Sequence, residues 1–231
     1  MKLSPLGDSA VVVTLGETLD ATTVAAAQRL AAALEAKPLA GLVECAAANA
    51  SVTVLYDPVR LLKKGGLSPY ERICEWIEAR AATAGPPEPA PGREMFVPVC
   101  YGGEFGPDLA AVGAEHGLSS DEVVALHSGA EYRVSAVGFT PGFPYLAGMP
   151  ARLHTPRRKT PRVRVAAGSV AIGGAQTGIY SFETPGGWNL IGWTPWRLFN
   201  PHAQRPALLQ VGDRVRFQPI GPEEFGTARF P

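Results

Sequence analysis

The most informative absence in this 231-residue sequence is that of acidic residues between Tyr132 and Phe182. The whole chain is neutral, with a formal net charge of +0. The acid-free window nevertheless holds a series of cations: Arg133, Arg152, Arg157, Arg158, Lys159, Arg162 and Arg164. A neutral protein that concentrates arginine in one segment without acids is predicted to hold an anion there.

Other absences exclude whole classes of protein. The neutral charge argues against a general nucleic-acid binder. No apolar run approaches the roughly 20 residues that a membrane-spanning helix needs, and the N-terminus lacks the apolar stretch of a signal peptide. The cysteines Cys45, Cys74 and Cys100 are odd in number and form no C-x-x-C pair. They predict reduced thiols in a cytoplasmic protein rather than disulfides or a zinc site.

Several motifs of catalysis and cofactor binding are also missing. The sequence contains neither G-x-x-x-x-G-K-[ST] nor G-x-G-x-x-G, so it has no standard nucleotide site. The glycine-rich run at 173–178 lacks the lysine of a phosphate loop. Ser169 is not in a G-x-S-x-G elbow, and the four histidines have no metal-binding spacing. No metal ligand set is therefore predicted in this chain.

The N-terminal part, residues 1–84, is predicted to form a small α+β domain. Apolar runs at 10–15, 42–46 and 51–56 indicate strands. Helical spacing at 20–36 and a capping box, in which Ser68 precedes Glu71, indicate two helices. The resulting order β-α-β-β-α is typical of a ferredoxin-like unit.

A change of composition marks a domain boundary. Residues 85–93 are rich in proline and glycine and are predicted to form an exposed linker. After two short helices, one capped by Asp108 and one by Ser119, the second domain (94–231) shows short strands separated by glycine and proline. Such a pattern predicts a mainly-β barrel or sandwich.

The strongest candidate site is the segment around residues 155–162. It places Arg157, Arg158 and Lys159 between two prolines and ends with Arg162. The prolines limit backbone freedom, so the guanidinium groups are preorganised for a carboxylate or phosphate. In the alternative, this is a solvated loop, or its arginines pair with distant acids such as Glu183 or Glu131.

Aromatic residues supply a candidate groove. Phe139, Phe143 and Tyr145 surround a Pro-Gly pair, and Trp188 begins a strand after the turn at 184–187. They form either the wall of a ligand groove or plugs of the barrel core.

Three further polar residues are candidates. Gln176 and Tyr180, in a glycine-bounded segment, are suited to orienting an amide or carboxylate, or serve a surface turn. His127, at the end of a predicted helix, is a candidate general base, or alternatively a partner of the helix dipole.

Taken together, the longer motifs resemble a known family. The segments GDSA, VTVLYDP, GPDL, HSGAEYRVSAVGFTPGFPYLAGMP, TPRRKTPR, GSVAIGGAQTGIY, TPGGWNLIGWTP and VGDRVRF occur in consistent order along nearly the whole chain. They are similar to the allophanate hydrolase subunit 1 family. That family includes 5-oxoprolinase B-subunits, the KipI-type inhibitor of a sporulation histidine kinase, and part of urea carboxylases.

The resemblance implies a fold, an activity and partners. It implies an α+β N-terminal domain followed by a cyclophilin-like barrel. It also implies a subunit 2 (KipA-type) partner and a LamB/YcsF-type subunit, which together open 5-oxo-L-proline to L-glutamate with hydrolysis of ATP. Under this hypothesis Arg157, Arg158 and Arg162 hold anions, Gln176 and Tyr180 orient the substrate, and His127 transfers a proton. The ATP site is expected to be completed by another subunit, and the isolated chain to be nearly inactive.

Two alternatives follow from the same resemblance. One is a KipI-like inhibitor whose aromatic groove docks on a sensor histidine kinase. The other is a carboxyltransferase-type subunit of urea or allophanate metabolism. This sequence also has Trp193 where family members often have arginine, which removes one possible anion contact.

Overall fold

In the computed structural model the chain consists of two compact units, Met1–Pro91 and Gly92–Pro231. The structure describes residues 1–17, 21–63, 66–83 and 92–227. Most of the predicted linker at 85–93 lies outside the described residues. Within the described ranges, none of the helices has the length and apolarity needed to span a membrane.

The first unit is a four-stranded antiparallel sheet covered by helices, with strand order β1-β2-β4-β3. Its strands are β1 (Lys2–Pro5), β2 (Ala10–Thr14), β3 (Leu42–Ala48) and β4 (Ser51–Tyr56). Its helices are α1 (Ala21–Ala36), α2 (Pro58–Leu61) and α3 (Pro69–Thr83). Strand β1 is not recognisable as a strand from the sequence pattern.

Alternation and helical spacing explain how this unit is built. In β4, Val52, Val54 and Tyr56 are buried and alternate with half-buried residues, as expected for a strand with one face on the core. The capping box predicted before α3 is present, with Ser68 N–H donating to Glu71 Oε2 over 2.8 Å. The outer strand beside β2 is the N-terminal β1 and does not follow α3, so the ferredoxin-like assignment is not confirmed.

The second unit is a closed barrel of seven strands in the order β10-β7-β6-β13-β5-β12-β9. All neighbours are antiparallel except β13 and β5, which are parallel. This confirms the predicted barrel domain, while the cyclophilin-like name stays a prediction. The barrel strands are β5 (Glu94–Tyr101), β6 (Tyr132–Val137), β7 (Pro144–Ala147), β9 (Ser169–Gly173), β10 (Gln176–Ile179), β12 (Asn189–Trp193) and β13 (Arg214–Pro219).

Additional elements pack around the barrel. The helices are α4 (Leu109–His116), α5 (Ser120–Gly129), the one-turn 3-10 helix Ala151–Leu153 and α6 (Pro222–Phe225). Strands β8 (Arg162–Val165) and β11 (Thr184–Gly186) form a separate two-stranded sheet. The capping box predicted at Ser119 and Glu122 is present.

His127 lies inside this unit and has no exposed surface. The Thr177 hydroxyl donates to the Ala171 carbonyl, so it accepts from His127 Nε2–H at 2.9 Å. Nδ1 then accepts from the Tyr101 hydroxyl at 2.8 Å, and the ring stacks on Phe217 with centroids 4.5 Å apart. Burial lowers the pKa of His127 to about 3, because desolvation disfavours the imidazolium. The ring is neutral and structural, and its position gives the predicted proton-transfer role no support.

The buried histidine makes folding stability depend on pH. Its folded pKa lies below the value of about 6.5 expected in the unfolded chain. The unfolded state therefore binds a proton that the native state excludes. We expect the unfolding free energy to fall by up to about 1.4 kcal/mol per pH unit as the pH drops from about 6.5 toward the folded pKa.

Urea denaturation between pH 7 and pH 4.5 measures this slope. The H127Q variant keeps a hydrogen-bond donor but removes the titrating group. Its unfolding free energy should therefore change less steeply with pH, by the uptake of about one proton on unfolding. The exposed His202 supplies the control, since H202Q leaves the barrel interior untouched. Equal slopes for wild type and H127Q would contradict the assignment.

Candidate functional site

A pocket of about 320 Å³ lies on the second unit. Its lining combines aromatic rings, prolines and two arginines: Phe139, Phe143, Tyr145, Arg157, Arg158, Pro161, Tyr180, Pro185, Gly186, Gly187 and Trp188. The pocket therefore brings together six of the residues singled out in the sequence as anion holders or groove aromatics, and Tyr180 as well. A small cavity with apolar walls and a few convergent polar groups is typical of a ligand site.

Backbone hydrogen bonds fix the arginine segment to the barrel. Arg158 N–H donates to the Gly187 carbonyl over 2.8 Å, and Gly174 N–H donates to the Thr155 carbonyl over 2.7 Å. The Asn189 side chain adds a bond to the Pro156 carbonyl at 2.9 Å. The segment is thus anchored to the barrel at three points, while its residues 156–161 are exposed to solvent.

The aromatic wall is packed edge to face. Phe143 is the central ring, with its centroid 5.3 Å from that of Tyr180 and 5.6 Å from that of Trp188. Such T-shaped pairs are the favoured geometry for aromatic rings. A Cβ added at Gly173 would lie 2.5 Å from the Trp188 ring, so the glycine-rich run serves close packing of this wall.

A buried carboxylate organises the arginines. Asp108 is 5% exposed and accepts two hydrogen bonds from Arg162, at 2.8 and 2.9 Å, and one from Arg158 at 2.9 Å. Its Oδ2 also accepts from Leu190 N–H at 2.7 Å. Burial alone would raise the pKa of the Asp108 carboxyl, but Arg162, the Leu190 N–H and Arg158 outweigh burial and lower it. The carboxylate is therefore ionised at neutral pH.

This ion-pair cluster divides the roles of the three predicted anion holders. Arg162 gives one hydrogen bond to Asp108 from each terminal nitrogen and does not line the pocket. Arg158 lines the pocket but gives one Nη1 hydrogen bond to the same carboxylate. The alternative in which these arginines pair with a distant acid is therefore confirmed for Arg158 and Arg162, although the acid is Asp108 and not Glu183 or Glu131.

Arg157 is the pocket cation that has no carboxylate within 4 Å in the described part of the chain. Its guanidinium carbon lies 5.8 Å from the centroid of the Trp188 ring, within the range of a cation–π contact. That contact orients the guanidinium without using its N–H donors, because the attraction is to the ring face. The N–H donors of Arg157 are thus not taken up by a carboxylate of the described residues.

Two tyrosines add neutral hydroxyl groups near this cation. Burial raises the pKa of Tyr145, with Arg157 opposing part of the effect. Burial also raises the pKa of Tyr180, while a hydrogen bond with the Trp188 backbone and the charge of Arg157 oppose part of this rise. Both hydroxyls are protonated at neutral pH and can donate hydrogen bonds.

Other predicted positions lie away from the pocket. Gln176 begins β10 opposite Gly173 and is not part of the lining. His127 is in the barrel interior. Trp193 is also outside the pocket, since its Nε1–H donates to the Ala167 carbonyl and its ring packs near Phe225. The tryptophan in place of arginine therefore does not remove a cation from this pocket.

Sequence reasoning missed the organising role of Asp108. The sequence predicts it as a helix cap, and it does lie at the N-cap of α4, but its side chain makes no capping hydrogen bond. The available signal was the acid-free window itself, since a cluster of arginines needs a counter-charge from elsewhere. Which of the distant acids supplies it depends on the fold.

The match to a family defines the class of protein. The family described as the carboxyltransferase domain, subdomain C and D, matches residues 1–209. The chain belongs to this family, and the resemblance inferred from the sequence is confirmed.

Individual relatives are similar over nearly the full length. The chain is 42% identical over 227 residues to the 5-oxoprolinase B-subunit of Bacillus subtilis (strain 168), covering 97% of this chain and 95% of the relative. It is 46% identical over 215 residues to the 5-oxoprolinase B-subunit of Escherichia coli O157:H7, covering 93% and 94%. The crystal structure of TTHA0988 in space group P212121 gives a TM-score of 0.76 at 39% identity, over 92% of this chain and 40% of that longer one.

The Asp108 cluster generates a stability prediction. Asp108→Asn leaves Arg158 and Arg162 facing each other without their counter-charge. We expect the unfolding free energy to fall by about 2–4 kcal/mol, somewhat less than for a fully buried pair because both guanidinium groups are partly exposed. Urea denaturation at pH 7 measures the loss.

Glu183→Gln is the matched control, because it breaks the exposed pair with Arg164 and should cost about 0–1 kcal/mol. The contribution of Asp108 should be constant from neutral pH to about 5 and shrink below about 4, since its folded pKa is lowered and protonation removes the pair. An equal cost for D108N and E183Q would contradict the organising role.

Proposed function

We propose that this chain is a subunit of an ATP-dependent 5-oxoprolinase complex, which opens 5-oxo-L-proline to L-glutamate. The observation that carries the proposal is the near-full-length similarity to two proteins named as 5-oxoprolinase B-subunits, at 42% and 46% identity. The pocket adds independent support, because its aromatic walls and cation suit a small ring that bears a carboxylate.

The chemistry of the substrate explains what the site has to supply. The substrate is a lactam, which is a stable amide, and it carries one carboxylate. Transfer of the γ-phosphoryl group of ATP to the lactam oxygen releases ADP and makes the ring carbon electrophilic. Water then adds to that carbon, the ring C–N bond breaks with the nitrogen leaving as the amine, and a second water releases phosphate from the resulting acyl phosphate to give glutamate. The enzyme has to hold the carboxylate and stabilise charge that develops on the lactam oxygen.

Residues of this pocket match these two requirements. Arg157 binds the carboxylate, since its N–H donors are not used by an acid of the chain, and Arg158 adds its remaining donors. The protonated hydroxyl of Tyr145 or Tyr180 donates to the lactam oxygen. Phe143 and Trp188 exclude water from one side of the lactam ring, and the lower local dielectric strengthens these electrostatic contacts.

ATP itself does not fit this pocket. A triphosphate carries several negative charges, whereas the lining offers Arg157 and an Arg158 already shared with Asp108. Within the described ranges no group of three His, Cys, Asp or Glu residues could hold a metal ion. We therefore assign the ATP site to another subunit.

The proposal includes partner subunits. We infer a shared active site with a subunit 2 (KipA-type) protein and action together with a LamB/YcsF-type subunit. In support, the region matched in TTHA0988 is 40% of a longer chain, so in that protein further polypeptide is joined to this fold.

Activity of the reconstituted complex tests the role of Arg157. Arg157→Ala removes a charge-assisted hydrogen bond worth about 1.5–3 kcal/mol. We expect kcat/KM for 5-oxo-L-proline to fall roughly 10- to 100-fold, with an unchanged melting temperature. The control is Lys159→Ala, which removes a cation of the same segment that does not line the pocket. Equal losses in the two variants would contradict a specific contact at Arg157.

The isolated chain tests the sharing of the site. We expect no release of phosphate or glutamate from ATP and 5-oxo-L-proline by this chain alone, and turnover when a subunit 2 protein and a LamB/YcsF-type protein are added. Turnover by the purified chain unaided would overturn the shared-site part of the proposal.

One observation favours an alternative. Phe139 is 62% exposed at the rim of the pocket, as expected for a groove that docks a peptide segment of a sensor histidine kinase. Kinase autophosphorylation measured with and without the protein distinguishes the two functions, because a 5-oxoprolinase subunit should leave it unchanged.

A further inference from the structure

Phe139 has a backbone conformation that its side chain disfavours. Its φ is +67°, in the left-handed region that large side chains rarely adopt. Thr140 N–H donates to the Gly138 carbonyl over 2.8 Å, which makes Phe139 the centre of a three-residue γ-turn. The positive-φ form of this turn is rare and strained.

The surrounding structure holds this turn in place. Gly138 N–H donates to the Phe143 carbonyl at 3.0 Å, and Phe143 N–H donates to the Thr140 carbonyl at 3.1 Å. The hydroxyls of Thr140 and Ser181 share a hydrogen bond of 3.0 Å. Strain of this kind persists only where neighbouring contacts over-determine the backbone, and it occurs preferentially at ligand sites.

The exposure of the ring separates Phe139 from a core residue. Its side chain is 62% exposed, whereas Phe143 and Tyr180 beside it are each 2% exposed. Its centroid lies 5.6 Å from that of Phe143 and 6.5 Å from that of Tyr180, both edge to face. The ring therefore gains little from burial in the free protein, although its backbone is strained. Its contribution to folding does not explain its presence.

We propose that Phe139 is a ligand-clamping residue, which packs its ring on a small cyclic monocarboxylate whose carboxylate is bound by Arg157. This inference rests on the proposed function, because it deepens the account of the same pocket. The ligand class follows from the lining: aromatic rings contact a flat or puckered small ring, and a cation without an acidic partner binds one negative charge. A volume of about 320 Å³ accommodates a small molecule of this kind.

The Phe139→Asn variant tests the clamp. Asparagine tolerates positive φ and is suited to an exposed turn, so the melting temperature should be equal to or higher than that of wild type. Affinity for 5-oxo-L-proline, measured on the full chain by calorimetry, should fall roughly 5- to 10-fold through loss of the ring contact. Phe139→Gly provides a second variant in which the strain is also relieved.

Phe182→Asn is the matched control. Phe182 is also a partly exposed aromatic, at 41%, but it pairs with Phe199 and does not line the pocket. It should lower the melting temperature slightly and leave the affinity unchanged. A clear fall in melting temperature for both Phe139 variants would mean that the ring is structural and would overturn the clamp.

Further probes separate this inference from the proposed function. L-proline and benzoate are measured beside 5-oxo-L-proline. If one of them binds in a Phe139-dependent manner and 5-oxo-L-proline does not, the clamp is supported and the proposed substrate is wrong. If 5-oxo-L-proline binds wild type and F139N equally, the clamp is wrong and the substrate stands.

Two other outcomes also contradict the clamp. One is the absence of binding of any of these carboxylates to the full chain, in which case activity of the reconstituted complex still tests the proposed function. The other is Phe139-dependent binding of a proline-containing peptide in place of the small carboxylates, which would assign the groove to a protein partner.

Discussion

The carboxylate of Asp108 joins three segments of the barrel unit that are far apart in sequence. The Asp108 backbone N–H donates to the Leu190 carbonyl while its Oδ2 accepts from Leu190 N–H, which fixes the start of α4 to strand β12. The same carboxylate holds Arg158 and Arg162. The arginine wall of the pocket therefore has its position because one ionised acid is buried beneath it. Without that acid, two neighbouring guanidinium groups would repel each other in a partly desolvated site.

This neutralisation leaves Arg157 distinct from its neighbours. A cluster of arginines without acids suggests several equivalent anion contacts. In the folded chain, one arginine is bound by Asp108, one is shared between Asp108 and the pocket, and Arg157 rests over Trp188 with its donors unused by acids. The aromatic wall contributes to this division, because a ring face attracts the cation without satisfying its hydrogen bonds.

Two residues of the barrel unit differ in how well their environment satisfies them. His127 is buried, and each ring nitrogen has a partner at 2.8 or 2.9 Å, so its neutral form is compatible with the barrel core. Phe139 is exposed and has a strained backbone, so it is poorly suited to a structural role. The first arrangement is what stability requires, and the second is what a ligand site tolerates.

Much of the architecture follows from local patterns of the sequence. Apolar runs located the strands β2, β3 and β4, and capping boxes at Ser68 and Ser119 located two helices. The short strands separated by glycine and proline after Tyr132 indicated a barrel or sandwich. Strands β1, β6, β7, β10 and β11 were missed. All of them except β6 have three or four residues, which is too few to show a periodicity. The motifs also identified the family.

The sequence alone located two sets of candidate residues, arginines and aromatics, in or next to the acid-free window. Tertiary structure decided that both form one pocket, that Asp108 is the counter-charge, and that His127 and Gln176 lie elsewhere. The reason is physical: a residue's type is local, whereas its partners are set by long-range pairing between strands and loops. Asp108 is 50 and 54 positions away from its two arginines in the sequence, and the fold of the barrel unit brings them within hydrogen-bond distance.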